Sequence, residues 1–239
     1  MKSSRRAFIK SSATLAAMTG AVALAGRTAT AGTDSSRFRV LHASPDAPAI
    51  DVWVNRTRVA PDLRYTKFSK DWFYPATTAV VRIFTVGAPL NSPPLFQKQI
   101  TFDVGRTYTL VVTGLLQQPP NSPQGLDIVR FEDPPRPAAG LTTMRLAHVA
   151  PGVGNVDLFT AANEPFILDV AFKSAKAVEK PAGTYDLQVR LTGQPNALFV
   201  IPPTNFPSAQ VRTIYVFAQS QNATARALNE TTSPAFVIR

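Results

Sequence analysis

Only two histidines occur among the 239 residues, His42 and His148, and there is no cysteine. Imidazole chemistry therefore has two candidate centres. Thiolate catalysis, zinc–thiolate and iron–sulfur sites, disulfides and a lipidated N-terminal Cys have none. His42 opens the run His42-Ala-Ser44-Pro45-Asp46-Ala-Pro-Ala-Ile-Asp51, and His148 holds the same place in His148-Val-Ala150-Pro151-Gly152-Val-Gly-Asn-Val-Asp157. In each run a carboxylate follows the imidazole nine residues later, across a turn built from Pro with Asp or Gly. Read as an antiparallel hairpin, this spacing places His42 beside Asp51 and His148 beside Asp157 on neighbouring strands. A carboxylate bonded to the ring N–H would then fix the imidazole tautomer. The expected structural motif is His42, Pro45, Asp46, Asp51, His148, Pro151 and Asp157.

Catalytic and metal roles fit these runs less well. A metal needs three or more ligands, and the nearest third ligand, Asp46, corresponds to Gly152 in the other run. A Ser-His-Asp hydrolase assembled from Ser44, His42 and Asp51 is the third-ranked reading. Ser44 stands two residues from His42, so in a strand both project from one face with no base-and-orienter geometry, and its counterpart is Ala150. Phosphate-binding glycine loops, His-x-x-x-His pairs and calcium-loop spacings are absent from the sequence. The chain is read as a non-enzyme with no catalytic residue, no metal and no cofactor. The remaining candidate is aromatic: Trp72-Phe73-Tyr74, opposite Val178-Glu179-Lys180 in the second run. Those rings either cover a core or form an exposed platform for sugar or protein contact, and all three are kept as possible binding residues.

The elements that carry these residues repeat. An offset of 106 pairs Arg39 with Arg145, His42 with His148, Pro45 with Pro151, Asp51 with Asp157, Lys67 with Lys173, Lys70 with Lys176, Pro75 with Pro181, Gly87 with Gly193 and Arg106-Thr107 with Arg212-Thr213. Between these identities the hydrophobic period is two, in short segments rich in Val, Ile, Phe, Tyr and Thr and cut by Pro, Gly, Asn and Ser. All 21 prolines lie at or after Pro45, which argues against long helices there. The fold class expected is all-β: two tandem antiparallel β-sandwich domains, immunoglobulin-like or prealbumin-like, of about seven strands each, behind an N-terminal signal-peptide helix. The divisions are 1–31 for the signal peptide, 37–133 for the first sandwich, 134–140 for a stiff Pro-rich linker and 141–239 for the second sandwich. The apolar cluster within 165–180 reads as strand rather than helix, because its partner 61–74 carries no helical stripe.

Charge and the N-terminus bear on location. The 25 Lys and Arg against 15 Asp and Glu give +10, but five of the basic residues and no acid fall in the first 31 positions, leaving +5 on the remaining 208. That balance is too weak for a nucleic-acid-binding stripe. The pair Arg5-Arg6, a weakly apolar stretch and Ala29-Thr-Ala31 stand in the order of an export signal of twin-arginine type. Cleavage after Ala31 and an extracytoplasmic location (periplasm, cell surface or secreted) are expected. No run of 18 apolar residues follows, so no helical membrane span is expected in the mature chain.

The run from His42 to Asp51 resembles the opening signature of domain-of-unknown-function family 4397, His-Ala-Ser-Pro-x-Ala-Pro-x-Val-Asp, and Pro181-Ala182-Gly183 and Pro75-Ala76-Thr77 are similar to its later turn. The resemblance covers most of 37–133, and the second unit resembles a diverged member. It implies an envelope-associated or secreted sandwich module and no established activity. The functional expectation is a monomeric, exported, structural or protein-binding module of the cell envelope, with an envelope protein or polysaccharide as partner. A secreted carbohydrate- or small-ligand-binding accessory domain using the Trp72 region is the alternative.

Overall fold

The computed structural model describes residues 34–119 and 121–218 together with the backbone of 226–231. The expected signal helix, with Arg5, Arg6, Ala29 and Ala31, lies outside the described residues. The described residues lie within one compact unit. Its β-branched and aromatic runs, broken by Pro and Gly, become strands, and among the described residues there is no helix. The first half contains β1 (Ser35–His42), β2 (Ile50–Val54), β3 (Thr57–Leu63), β4 (Trp72–Pro75), β5 (Thr78–Thr85), β6 (Phe96–Thr101), β7 (Thr107–Thr113) and β8 (Asp127–Glu132). The second contains β9 (Leu141–His148), β10 (Val156–Thr160), β11 (Pro165–Val170), β12 (Ser174–Pro181), β13 (Gly183–Leu191), β14 (Ala197–Phe206), β15 (Gln210–Phe217) and β16 (Arg226–Thr231).

Each half is a sandwich of two four-stranded sheets, and the strand orders correspond. The first half has β4-β1-β7-β8 over β3-β2-β5-β6, and the second has β12-β9-β15-β16 over β11-β10-β13-β14. All pairings are antiparallel except β1 with β7 and β9 with β15. Between the sheets of the first half lies a core that includes Phe38, Val40, Val52, Ile83, Phe102, Leu110 and Val112. The second half buries Met144, Leu146, Leu158, Val189, Phe206, Ile214 and Val216 in the same way.

A third core joins the halves. Strand β1 alternates: Phe38 and Val40 point into the first sandwich, while Leu41 and Ala43 beyond it point outward to Ala147, Val149, Tyr215 and Phe217. Val111 and Phe131 complete this seam from the first half. The facing strands are therefore covered on both sides. That is why Tyr108–Thr113 and Thr142–His148 are buried at every position, as in a sheet shielded on both faces.

Among the described residues each half has eight strands rather than about seven. Edge strands with weak patterns account for the difference. β3 carries Pro61 and a left-handed Asp62 (φ 45°), and pairs with β2 in irregular register. In β12 the Ala-, Lys- and Glu-rich sequence turns only Val178 to the sandwich core and Ala175 to the seam. The repeat also slips. Val52 faces Ile83 and Leu158 faces Val189, which keeps the offset at 106. In the parallel pairs, however, Arg39 faces Thr109 and Arg145 faces Thr213. Gly105 (φ 69°) and Ala209 (φ 56°) make the same turn, donating to Ser35 and Leu141 carbonyls. The Arg106-Thr107 and Arg212-Thr213 identities are therefore not structural equivalents, because the second half is two residues shorter before its last strands.

Candidate functional site

The turn after each histidine is a crossing between sheets, not a hairpin. β1 and β2 belong to opposite sheets of the first sandwich, as β9 and β10 do of the second. This overturns the expected His42–Asp51 and His148–Asp157 bonds. Both imidazoles are fully buried and are held by backbone. The Ser44 N–H donates to His42 Nδ1 at 3.3 Å, and His42 Nε2 lies 2.9 Å from the Pro48 carbonyl oxygen. In the second half the Ala150 N–H donates to His148 Nδ1 at 3.3 Å, and Nε2 meets the carbonyls of Gly154 at 3.0 Å and Val153 at 3.3 Å. A neutral ring with its proton on Nε2 satisfies every one of these contacts. Burial pulls both histidines below their ordinary pKa, and the hydrogen bonds to carbonyls offset that only in part. Because the partners are main-chain groups, the fastener survives the change from Ser44 to Ala150 and from Pro48 to Gly154.

The carboxylates fasten other segments. Asp51, buried at the start of β2, accepts N–H groups from Asp62 at 2.9 Å and Gly87 at 3.1 Å, and Arg58 at 3.2 Å. Burial pushes its pKa up, but the two N–H groups and the Arg58 guanidinium outweigh that and hold it below the usual carboxylate value. Asp157 repeats the arrangement, accepting the Asp169 N–H and the Thr192 hydroxyl, both at 2.7 Å. Asp62 and Asp169 are both left-handed, with φ of 45° and 55°. Each buried carboxylate thus pins a strained residue in the neighbouring edge strand. Asp46 ties the crossing to the loop after β7, its oxygens accepting the N–H groups of Leu116 at 2.8 Å and Gln117 at 3.1 Å. Ser44 Oγ donates to the Gly114 carbonyl at 2.6 Å. Gly114 itself (φ 90°) admits no side chain, because a Cβ there would sit 2.0 Å from the Gly125 carbonyl oxygen. Pro45 and Pro151 shape the crossings, and Pro151 is buried.

The chemistry left to these residues is narrow. The Ser44 hydroxyl donates to the Gly114 carbonyl and lies 3.2 Å from Asp46 Oδ1, and the adjacent imidazole nitrogen accepts a backbone N–H, so no imidazole base faces the hydroxyl. Among the described residues no three His, Asp or Glu side chains converge as a metal site would require.

Of the aromatic triplet, Trp72 and Tyr74 pack against the first core and only Phe73 points out, 62 % exposed. Trp72 Nε1 donates to the Val59 carbonyl at 2.6 Å, and Lys70 Nζ sits 4.5 Å from the ring centroid. The triplet is not a platform of three rings, because alternation in β4 turns two of them inward.

Sequence reading passed over Arg145. It lies in the seam with 3 % of its side chain exposed and pairs with Asp133 at 2.8 Å. It also donates to the Glu132 carbonyl at 2.8 Å and, through Nε, to Thr213 Oγ1 at 2.9 Å. The signal available was an arginine inside a segment otherwise fit for burial, Thr142-Thr-Met-Arg-Leu-Ala-His148.

These features define an all-β protein of two sandwiches whose histidine and aspartate turns bind strand to strand. The chain belongs to the family described as Domain of unknown function (DUF4397), whose model matches residues 36–159. No curated protein matches the sequence. Among solved structures the chain is similar to CBMbc (family CBM26) from Eubacterium rectale Amy13K, solved in complex with maltoheptaose. That likeness has 9 % identity and TM-score 0.27, over 84 % of this chain and 98 % of that one. The Bacillus anthracis TIE protein matches at 11 % identity and TM-score 0.24, over 77 % of this chain and 33 % of that one. A leucine-rich repeat protein from Bacteroides thetaiotaomicron matches at 15 % identity and TM-score 0.19, over 78 % and 26 %. At these TM-scores the three likenesses carry no argument about function. Among the described residues no helix is long and apolar enough to cross a membrane.

Proposed function

We propose that the protein is an exported, non-catalytic module of the cell envelope or surface, built from two copies of the family sandwich, which binds an envelope protein or polysaccharide. The observation that carries this reading is the commitment of both imidazoles and of Asp46, Asp51 and Asp157 to hydrogen bonds that hold the fold together. Groups spent in this way are not free to exchange protons with a substrate, which supports surface recognition over catalysis. The order of Arg5-Arg6, apolar stretch and Ala29-Thr-Ala31 supports export by the twin-arginine route. The matching sheet orders of the halves support the two-copy reading.

The test is sedimentation of the purified chain from Gly32 onward with an envelope fraction from its own cell. The reading predicts saturable retention, with the captured contact identified by cross-linking and by polysaccharide digestion. A chain that stays in the supernatant at every concentration refutes it.

A further inference from the structure

A cleft of about 520 Å³ opens along one edge of the seam, within the size range of ligand sites. Its wall brings together residues far apart in sequence: Arg37 and Arg39 of β1, Arg106 ahead of β7, and Arg136 of the proline-rich connection. Among the described residues the acids on the wall are Asp71 and Asp133. Asp133 is turned to buried Arg145 and Asp71 to Arg37. Arg106 meets Glu132, which lies off the wall, at 3.1 Å, and an exposed pair of this kind holds its partner only weakly. Four guanidinium groups converge on one concave site whose described carboxylates are turned to Arg37 and Arg145, and that concentration of guanidinium groups favours a bound anion.

The arginines are positioned rather than loose. Arg39 donates to Thr109 Oγ1 at 3.2 Å and lies 4.7 Å over the Phe68 ring. Arg136 is anchored through Nε to the Ala209 carbonyl at 2.8 Å, an attachment that does not use Nη1 or Nη2. A planar guanidinium held in this way presents a fork that matches carboxylate and phosphate oxygens. Among the described residues no aromatic ring lines the cleft. Neither a nucleobase nor a neutral sugar ring has a stacking surface there, so recognition must come from charge.

We propose that this cleft binds the oxyanions of an acidic polysaccharide, a polymer that carries carboxylates or phosphodiesters. The proposal rests on the envelope-module reading above and names the contact surface for it.

The test measures binding of the chain from Gly32 onward to four probes at matched ionic strength: polygalacturonate, poly(glycerol phosphate), neutral dextran and single-stranded oligothymidylate. Arg106→Gln/Arg136→Gln is compared with Arg56→Gln/Arg64→Gln, which removes the same charge from exposed positions outside the cleft. Circular dichroism checks that both variants fold. The proposal predicts binding of the carboxylate or the phosphodiester polymer and none of dextran. It also predicts at least a tenfold loss in the cleft variant and less than twofold in the control. Which of the two polymers binds identifies the anion. Equal losses in the two variants would overturn the proposal, as would binding of neither polymer or tighter binding of oligothymidylate. Undiminished retention of the cleft variant on the envelope fraction would remove the cleft and leave the module reading standing. Absence of retention for the unaltered chain would remove the module reading itself.

Discussion

Cutting the buried ion pair between Arg145 and Asp133 should destabilise the whole described unit. The two side chains are 3 % and 8 % exposed. Arg145 joins three segments through the Glu132 carbonyl, the Asp133 carboxylate and the Thr213 hydroxyl. Asp133→Asn leaves a guanidinium buried without its counter-charge, and removing one member of such a pair costs about 3–5 kcal/mol. For a chain of this length each kcal/mol lowers the unfolding midpoint by roughly 2–4 °C, so a fall of about 6–20 °C follows. Arg145→Met strands the carboxylate instead and should cost a similar amount. The double variant Arg145→Met/Asp133→Asn should lose less than the sum, with a coupling of about 1–3 kcal/mol. The assay is thermal and urea unfolding by circular dichroism, followed also by Tyr and Trp fluorescence. Losses below about 1 kcal/mol, or strict additivity, would refute the claim that this pair locks the connection into the seam.

Acidification tests the histidines. Both are held below their ordinary pKa, so below about pH 6.5 the unfolded chain takes up more protons than the folded one. Stability is complete above that pH and falls as pH drops from about 6.5 toward the folded values, by about 1.4 kcal/mol per pH unit for each histidine. Asp51 is also held low, so its contribution is lost only under more acidic conditions. Urea midpoints that stay flat from about pH 7.5 to 5.5 would contradict this account. Asp51→Asn keeps the shape but can no longer accept both N–H groups and pair with Arg58; urea unfolding should show a loss of about 2–3 kcal/mol. Trp72→Ala removes a ring packed on the first core, and the same measurement should fall by about 2–4 kcal/mol; unchanged stability would make Trp72 a surface residue.

The sandwich class was legible because period-two apolar runs and Pro/Gly breaks recur through the sequence, and the like placing of His42 and His148 was legible from their matching runs. What failed was pairing across distance. Nine residues between imidazole and carboxylate look like a hairpin, but a crossing between two sheets has the same length, and only the strand order separates them. The seam was hidden because Val111, Ala147 and Tyr215 fit equally well in a single-sandwich core. Asp62 and Asp169 were passed over because their partnership with Asp51 and Asp157 depends on left-handed backbone, which composition does not reveal. The arginine cleft was out of reach because of sequence distance. Its lining runs from Arg37 to Val211, and the cleft forms only where the halves pack.

The central claim is that the protein's only two imidazoles are neutral fasteners of the fold. Long-range nitrogen-15 NMR of the folded chain, labelled at histidine and recorded at about pH 6, tests this directly. The account predicts that His42 and His148 both carry the proton on Nε2, with Nδ1 bare and accepting, and both slow to exchange with water. An imidazolium at either site under those conditions, or a proton on Nδ1, would contradict it.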